Sequence, residues 1–175
     1  FNYAYDTKNE YGVSVTVLSA KPCTAFVGLY LDGDLMTLSG DPTTAERTVT
    51  SHFLGLASAT RVKVRVFLGD NNAALGAYLA GKFPTEFSST DNFNDMCVVI
   101  LECRNTNSDI DEDTGESSIP FQGFPTAKWE MKGVKVCDPR ASGVYGTEST
   151  YAYSANPELI ASQLDFGLYS GDTGL

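Results

Sequence analysis

Residues 123–167 read GFPTAKWEMKGVKVCDPRASGVYGTESTYAYSANPELIASQLDFG and predict three local structures in a fixed order. From Thr126 to Met131 polar and apolar side chains alternate, which is the period of a half-buried strand. Lys132-Gly133 supplies a two-residue reversal, so we expect a hairpin with a return strand from Val134 to Cys137. Pro139 has no N–H to give to a ladder, and the return strand should therefore end just before it.

A short C-terminal helix is predicted over residues 157–166. Asn156 is a suitable N-cap, and Pro157 at the first helical position loses only an N–H that would have no partner there. Ile160 and Leu164 are four residues apart and give the helix an apolar face. A helix of this length is marginal alone in water. We therefore expect it to dock on the preceding hairpin.

Strand signals also fill the first half of the chain. Tyr11 to Leu18 alternates, with the three valines at 13, 15 and 17 predicted to point inward. Asp32-Gly33-Asp34 is the strongest hairpin signal, between apolar runs at 26–31 and 35–38. Residues 48–54 form a weaker strand pattern.

The middle of the chain adds two strong strands and one short helical segment. In Arg61 to Leu68 the valines face one way and the basic residues Arg61, Lys63 and Arg65 the other. Those basic residues are interpreted as a solvated sheet face, with an interface edge as the alternative. Ala73 to Leu79 is rich in Ala and Leu and predicts a turn or two of helix near residues 73–80. Met96 to Cys103 is apolar enough for a strand buried on both faces.

These patterns predict a mainly β (α+β) fold. Antiparallel strands and hairpins are expected to form a barrel or a sandwich, with one short C-terminal helix. Residues 1–60 are an N-terminal β segment of unassigned type, and residues 61–175 contain the hairpin, an acidic loop at 105–118 and the helix. The length fits one compact domain. Because residue 1 is Phe, we also expect a processed chain or a fragment of a larger one.

Charge and hydropathy narrow the classes of partner. The formal net charge is −10, which argues against nucleic-acid binding because phosphate contacts need a basic face. No apolar run approaches the ~20 residues of a membrane-spanning helix, so membrane insertion is not expected.

Four cysteines, at positions 23, 97, 103 and 137, permit two disulfides by number. Cys97 and Cys103 fall on one predicted strand, where they would lie about 20 Å apart and could not be bridged. Free buried thiols are the better interpretation, which favours assembly in a reducing compartment.

The residues show no recognisable catalytic centre. His52 is the only histidine and sits in a strand-like segment without a nucleophile motif, so no enzyme activity is predicted. Asp109, Asp111 and Asp113 are the only candidate metal ligands, but their loop lacks the spacing of a calcium-binding EF-hand. A disordered acidic loop is the default interpretation, and no cofactor is predicted. The residues Phe83, Phe87, Phe93 and Trp129 are read as core packing, with a sugar-binding face as the alternative.

The order of segments from Arg61 onward resembles the hub region of long-tailed phage (lambda-type) tail-tip, or tip-attachment, proteins and their prophage relatives. That pattern has a strand ending in Leu-Gly, an aromatic and polar loop, a hydrophobic strand, a variable loop, an Asp-Pro-Arg run and an Asn-Pro helix. The resemblance covers about the C-terminal two-thirds of the chain. The matching residues are Leu68-Gly69, Leu75, Phe83-Pro84, Val98 to Leu101, Gly123, Pro125, Gly133-Val-Lys-Val136, Asp138-Pro139-Arg140, Ser154, Asn156-Pro157, Leu164 and Phe166-Gly167.

The resemblance implies a structural component of a phage tail tip or baseplate hub, at the distal end of the tail tube. Its expected partners are copies of itself, as a trimer, other tail proteins and a host surface receptor. It implies a location in the virion, and in host cytoplasm during assembly. The motif residues Gly133, Asp138, Pro139, Arg140, Asn156 and Pro157 are expected to be structural. Arg140 would pair with a carboxylate or cap helix carbonyls, fixing the arm that leads to the helix.

Two other classes stay open from the sequence. One is a carbohydrate- or receptor-binding β-domain of a phage adsorption apparatus. The other is a cell-wall hydrolase, for which the 22 acidic residues supply carboxylates but no recognisable pair.

Overall fold

The computed structural model describes residues 2–5, 11–51, 61–69, 73–91, 93–104, 124–133, 135–144 and 147–166. Strands dominate this part of the chain, which also contains two short 3-10 turns, Pro139–Ala141 and Glu148–Thr150. The helices and strands are β1 Asn2–Tyr5, β2 Tyr11–Ser19, β3 Ala25–Leu31, β4 Asp34–Leu35, β5 Arg47–Thr48, β6 Val62–Phe67, α1 Ala73–Lys82, β7 Cys97–Arg104, β8 Ala127–Lys132, β9 Lys135–Val136, β10 Ala152–Tyr153 and α2 Pro157–Phe166. The predicted mainly β fold is confirmed.

The largest sheet has five antiparallel strands in the order β1-β2-β7-β6-β5. Its central strand β7 is buried on both faces from Cys97 to Cys103, as its apolar sequence predicts. Strands from residues before and after position 60 share this sheet, since β2 and β6 flank β7 on either side.

A second sheet has three antiparallel strands in the order β4-β3-β8. β3 and β4 form the predicted hairpin, with Tyr30 opposite Leu35. The turn residues Asp32 and Gly33 have φ of 49° and 100°, a left-handed conformation that Asp tolerates and Gly adopts freely. The return strand is shorter than predicted, because beyond Leu35 only Leu38 forms a bridge, to Val49.

The two sheets pack face to face, so of the two architectures predicted the structure has the sandwich. Leu29, Leu31 and Met36 from the smaller sheet meet the inward valines of β6 and the residues Val99 and Leu101 of β7. The side chains are almost fully buried, and alternate residues of each strand supply them.

Helix α1 covers the other face of the five-stranded sheet. Leu75 and Leu79, four residues apart, lie against Val13, Val15 and Ile100. The predicted helical turn is therefore a ten-residue helix that completes a second apolar core. Val17 was predicted to point inward as well, but it is 51% exposed. It lies at a register shift of the β2–β7 ladder, next to Ser19.

The predicted hairpin at Lys132-Gly133 is wrong. β8 itself has the predicted alternation, with Lys128 and Glu130 exposed, but its ladder partner is β3. β9 pairs instead with β10. The reason is tertiary: β3 offers β8 a ladder along its whole length, from Ala25–Lys132 to Leu31–Ala127, whereas a tight turn would supply only two pairs from the short β9.

The interpretation of Arg61, Lys63 and Arg65 as a solvated sheet face is also wrong. All three are half-buried. Arg65 lies 4.7 Å from the centre of the Phe67 ring and donates to the Pro42 carbonyl at 2.9 Å. These contacts replace the water that charged groups on an open face would keep.

Candidate functional site

The Asp-Pro-Arg run forms a compact turn directly after β9. Asp138 is the N-cap of the 3-10 turn, because its Oδ1 accepts a hydrogen bond from the Arg140 backbone N–H at 3.0 Å. Pro139 occupies the first position of the turn, where no N–H is needed. The short strand ends at Val136, consistent with the predicted stop before Pro139.

The Arg140 side chain folds back onto the same carboxylate. Its Nε lies 3.0 Å from Asp138 Oδ1 and its Nη2 lies 3.2 Å from Oδ2, which makes a two-point pair. Hydrogen bonding from the Arg140 side chain, and to a smaller extent from the Arg140 backbone, lowers the pKa of Asp138 despite the opposing effect of burial. The Arg140 side chain is 67% exposed, so the pair fixes local geometry more than it stabilises the fold.

Gly143 closes the turn and was missed by sequence reasoning. Its N–H donates to the Asp138 carbonyl at 2.8 Å. A Cβ at position 143 would lie 2.6 Å from that oxygen, closer than any side chain allows. Ser142 precedes it in the left-handed conformation, with φ of 70°. The Ser-Gly dipeptide was the signal that could have indicated this turn.

Helix α2 begins where the sequence predicts. Asn156 Oδ1 accepts from the Glu158 backbone N–H at 2.9 Å, and Pro157 is the first helical residue. The helix contacts β9, yet Ile160, predicted on its apolar face, is 40% exposed. The hydrogen bond and the charge of Asp138 raise the pKa of Arg140, and the charge of Glu158 in the first turn of α2 adds a smaller increase.

The structure separates Gly133 from these residues. Its carbonyl accepts hydrogen bonds from Thr24, from the backbone N–H at 3.3 Å and from Oγ1 at 3.2 Å. Gly133 therefore belongs to the junction between β8 and the start of β3. Of the motif residues, Asp138-Pro139-Arg140 form the turn after β9, Asn156-Pro157 begin α2, and Gly133 contacts Thr24 at the end of β8.

A second polar group, the Glu102 cluster, lies where α1 meets the five-stranded sheet. It consists of Glu46, Lys63, Tyr78, Lys82 and Glu102. Glu102 is the one charged residue among the fully buried side chains of the described part, with 2% exposure. Its Oε2 accepts from Lys82 Nζ, and its Oε1 lies 3.2 Å from Lys63 Nζ. A glutamate inside the apolar run of β7 was the sequence signal for this cluster, and it was overlooked.

Glu46 completes the Glu102 cluster from outside. Its carboxylate lies 3.3 Å from Lys63 Nζ and 3.4 Å from Lys82 Nζ, and it accepts from the Tyr78 hydroxyl at 2.6 Å. Burial raises the pKa of Glu46, but the Tyr78 hydrogen bond and the two lysines outweigh it, and the pKa is lowered. Burial alone would lower the pKa of Lys63. The negative charges of Glu102 and Glu46 outweigh this effect, so the pKa of Lys63 is raised.

The lowered pKa of Glu46 and the raised pKa of Lys63 both favour the charged form of the side chain. An acid or base that exchanges protons during catalysis needs a pKa near the working pH. Glu46 and Lys63 are moved away from neutrality, so they act as fixed charges that join α1, β6 and β7. The arrangement is suited to holding the helix on the sheet.

Two surface depressions border the sandwich. The sandwich cleft, about 310 Å³, lies between β2 and β8 and is lined by Ser14, Thr16, Leu18, Leu101, Phe124 and Trp129 among others. The β3–β4 groove, about 620 Å³, is lined by apolar and hydroxyl side chains, including Phe26, Val27, Leu35, Thr37, Asp41 and Thr43. Both are open to solvent and mix apolar with hydroxyl groups.

The described residues contain no group of three or more His, Cys, Asp or Glu side chains placed to hold a metal ion. Asp109, Asp111 and Asp113, like His52, lie outside those residues, so their predicted roles stay predictions. The aromatic residues predicted as core do pack inward. Phe83 is buried against α1, and the Phe87 ring lies between those of Phe83 and Phe93 in tilted contacts, with centroid distances of 6.4 and 6.3 Å.

Comparison of the chain with protein-family models, curated proteins and solved structures gave no match. Of the helices in the part of the chain that the structure covers, neither combines the length and apolarity that crossing a bilayer requires. Functional inference therefore depends on the chain's own residues and contacts.

Proposed function

We propose that this protein is a structural component of a phage or prophage tail tip or baseplate hub, which works by assembling with copies of itself and with other tail proteins. In this role it helps attach the tail to the host and deliver DNA. The tail-specific part of the proposal comes from the sequence resemblance of residues 61–167. The observation that carries the assembly role is the apolar rim of the sandwich cleft.

Large apolar side chains are exposed at this rim. Leu18 and Phe124 line the cleft and are each 38% exposed, and the half-buried Trp129 lines it as well. Apolar surface that gathers around one concavity is typical of an interaction site, in contrast to isolated exposed residues. β8 borders the cleft with Ala127 and Trp129. Among the described strands β8 pairs with β3 alone, so it is the edge strand of the smaller sheet. An edge strand beside an apolar cleft can accept a segment of another subunit.

The Glu102 cluster supports a role without catalysis. Its carboxylates are each paired with ammonium groups, and the pKa shifts of Glu46 and Lys63 favour permanent charge. A buried charge network of this kind specifies how a helix seats on a sheet. The negative net charge of the chain further suits a part that DNA passes without adhering.

Light scattering coupled to size-exclusion chromatography tests the proposal. We expect the purified protein to form a trimer at high concentration and to dissociate on dilution. Leu18→Ser and Phe124→Ser should each shift the equilibrium towards monomer. Val144→Ser is the matched control, because Val144 is exposed directly after the Asp138–Gly143 turn and does not line the cleft. A monomer at every concentration, or equal effects of all three variants, would contradict the assembly role.

A carbohydrate- or receptor-binding role is the second candidate, and the β3–β4 groove favours it. Asp41 and Thr43 place a carboxylate and a hydroxyl beside the apolar surface of Phe26 and Leu35, a mixture that suits a sugar ring. A glycan array tests this role directly. Binding that Phe26→Ala abolishes and Phe124→Ser leaves intact would support it over the assembly role. Zymography on peptidoglycan separates both from a cell-wall hydrolase, which would leave a clearing zone.

A further inference from the structure

Two of the four cysteines meet at one end of the five-stranded sheet. Cys97 is the first residue of β7 and lies opposite Ser19, the last residue of β2. On the other side of β7, Phe67 of β6 lies opposite Val98, so the next residue, Leu68, continues past Cys97. β7 therefore starts between the ends of its two neighbours.

The chain that leaves β2 crosses this end of β7. After Ser19 it runs to Cys23, whose backbone N–H donates to the Leu68 carbonyl at 2.8 Å. Since Ser19 and Leu68 lie on opposite sides of Cys97, the crossing brings Cys23 to Cys97. Burial is the largest influence on Cys97 and the hydrogen bond with the Cys23 side chain is the next, and together they raise the pKa of Cys97 to about 12.

The crossing segment is held in place by close packing. Gly69 has φ of 108°, and a Cβ on it would lie 2.9 Å from the Cα of Pro22, the neighbour of Cys23. The Gly69 carbonyl in turn accepts from the Asp95 N–H at 3.2 Å, two residues before Cys97. Gly69 therefore contacts both Pro22, next to Cys23, and Asp95, two residues before Cys97.

The other two cysteines are placed differently. Cys103 lies six residues further along β7, about 20 Å away in a strand, and packs in the core between the sheets. Cys137 lies beside the Asp-Pro-Arg turn. All four cysteines are free thiols and all four are buried. The Cys23–Cys97 contact is therefore specific to one pair.

We propose that Cys23 and Cys97 are a redox modification site, which forms a reversible disulfide when the protein meets a low-molecular-weight disulfide oxidant. The bond would fasten the segment after β2 to the start of β7. It would stabilise the fold chiefly by restricting the unfolded chain between residues 23 and 97.

With oxidised glutathione as the oxidant, the reaction has two exchange steps. The Cys23 sulfur, after losing its proton to solvent, attacks one glutathione sulfur, which breaks the glutathione disulfide and releases one glutathione thiolate. The Cys97 sulfur, after losing its proton, attacks the Cys23 sulfur and releases the second. Two protein thiols are thereby oxidised by two electrons, and one oxidised glutathione is reduced to two thiols. Cys23 is the first to react because it is 6% exposed, whereas Cys97 is fully buried.

The test is equilibration of the full chain with a series of ratios of oxidised to reduced glutathione. Remaining thiols are then alkylated and peptides are identified by mass spectrometry. We expect the number of alkylated thiols to fall from four to two, with one linked peptide joining Cys23 to Cys97. The melting temperature should rise by several degrees on oxidation and return after reduction with dithiothreitol.

Variants separate this pair from general thiol oxidation. Cys103→Ser and Cys137→Ser should form the same linked peptide, whereas Cys23→Ser should form none and show no rise in melting temperature. The peptide map of the wild-type protein tests the linkage on its own, even if a variant fails to fold. Four alkylated thiols in the most oxidising mixture, glutathione adducts without a cross-link, or a linkage through Cys103 or Cys137 would each overturn the proposal.

Discussion

Lys82 Nζ donates a hydrogen bond to Glu102 Oε2 and so connects the last turn of α1 to the central strand β7. Glu102 alternates with Val98 and Ile100 and so lies on the face of β7 that packs under α1, where its side chain is 2% exposed. An ionised carboxylate in such surroundings is tolerated only when cations replace the lost water. Lys82 and Lys63 supply these cations. The Lys82–Glu102 ion pair thereby attaches the C-terminal end of α1 to the sheet.

Removing one partner of this pair should be costly. We expect Lys82→Met to lower the free energy of unfolding by about 3 kcal/mol, because Glu102 would keep only Lys63. Urea denaturation followed by the fluorescence of Trp129, the single tryptophan, measures the change. Lys135→Met is the control, since Lys135 is exposed on β9, and should change stability by less than about 0.5 kcal/mol.

Replacing both partners should be milder. We expect Lys82→Met with Glu102→Leu to recover most of the loss, because apolar side chains carry no desolvation penalty and Glu46 and Lys63 still pair at 3.3 Å. A double variant as unstable as the sum of its single variants would show that the Lys82–Glu102 bond is not what couples these positions.

Stability should depend on Glu46 in acid. Its pKa in the folded protein lies below the ordinary value of 4.5, so the unfolded chain binds the proton more readily. Its contribution is present above about pH 4.5 and is lost as the pH falls through the folded pKa. We expect the melting temperature of the wild type to fall more steeply below pH 4.5 than that of Glu46→Gln, which keeps an acceptor for Tyr78. Parallel curves would contradict the shift.

Two glycines of α1 should respond in opposite ways to alanine. A Cβ on Gly76 would lie 2.6 Å from the Asp91 carbonyl oxygen, whereas a Cβ on Gly81 meets no atom within 4 Å. We expect Gly76→Ala to lower the free energy of unfolding by about 1–3 kcal/mol, and Gly81→Ala to raise it by about 0.5–1 kcal/mol. Urea denaturation of both variants decides this. Equal effects would mean that the loop at Asp91 yields readily.

The Asp-Pro-Arg turn should depend more on Asp138 than on Arg140. Asp138 caps the turn and accepts from Arg140 at three points, whereas Arg140 contributes only an exposed side chain. We expect Asp138→Ala to lower the melting temperature clearly and Arg140→Ala to lower it slightly. Asp138→Asn, which keeps the capping oxygen, is the matched control. An Arg140→Ala variant with normal melting and normal self-association would show that this side chain is dispensable.

Local signals in the sequence predicted the elements that are decided locally. Asp32-Gly33 predicted its hairpin because only small or left-handed-tolerant residues suit that turn. Asn156-Pro157 predicted the start of α2, since capping involves neighbours within three residues. The apolar run from Cys97 to Leu101 in β7 predicted burial on both faces. For the hairpin turn and the start of α2, the deciding interaction lies within a few residues of the signal.

Pairing and burial of charge were decided at longer range. The amino-acid sequence by itself determined which side chains are apolar and where the longer strands and the two helices form, whereas β1 and β10 were not predicted from it. Only the tertiary structure decided that β8 pairs with β3, that Glu102 meets Lys63 and Lys82, and that Cys23 reaches Cys97. The physical reason is that a strand's pattern specifies its period and its buried face but not its neighbour. The neighbour is the one that buries the most surface and satisfies the most polar groups at once.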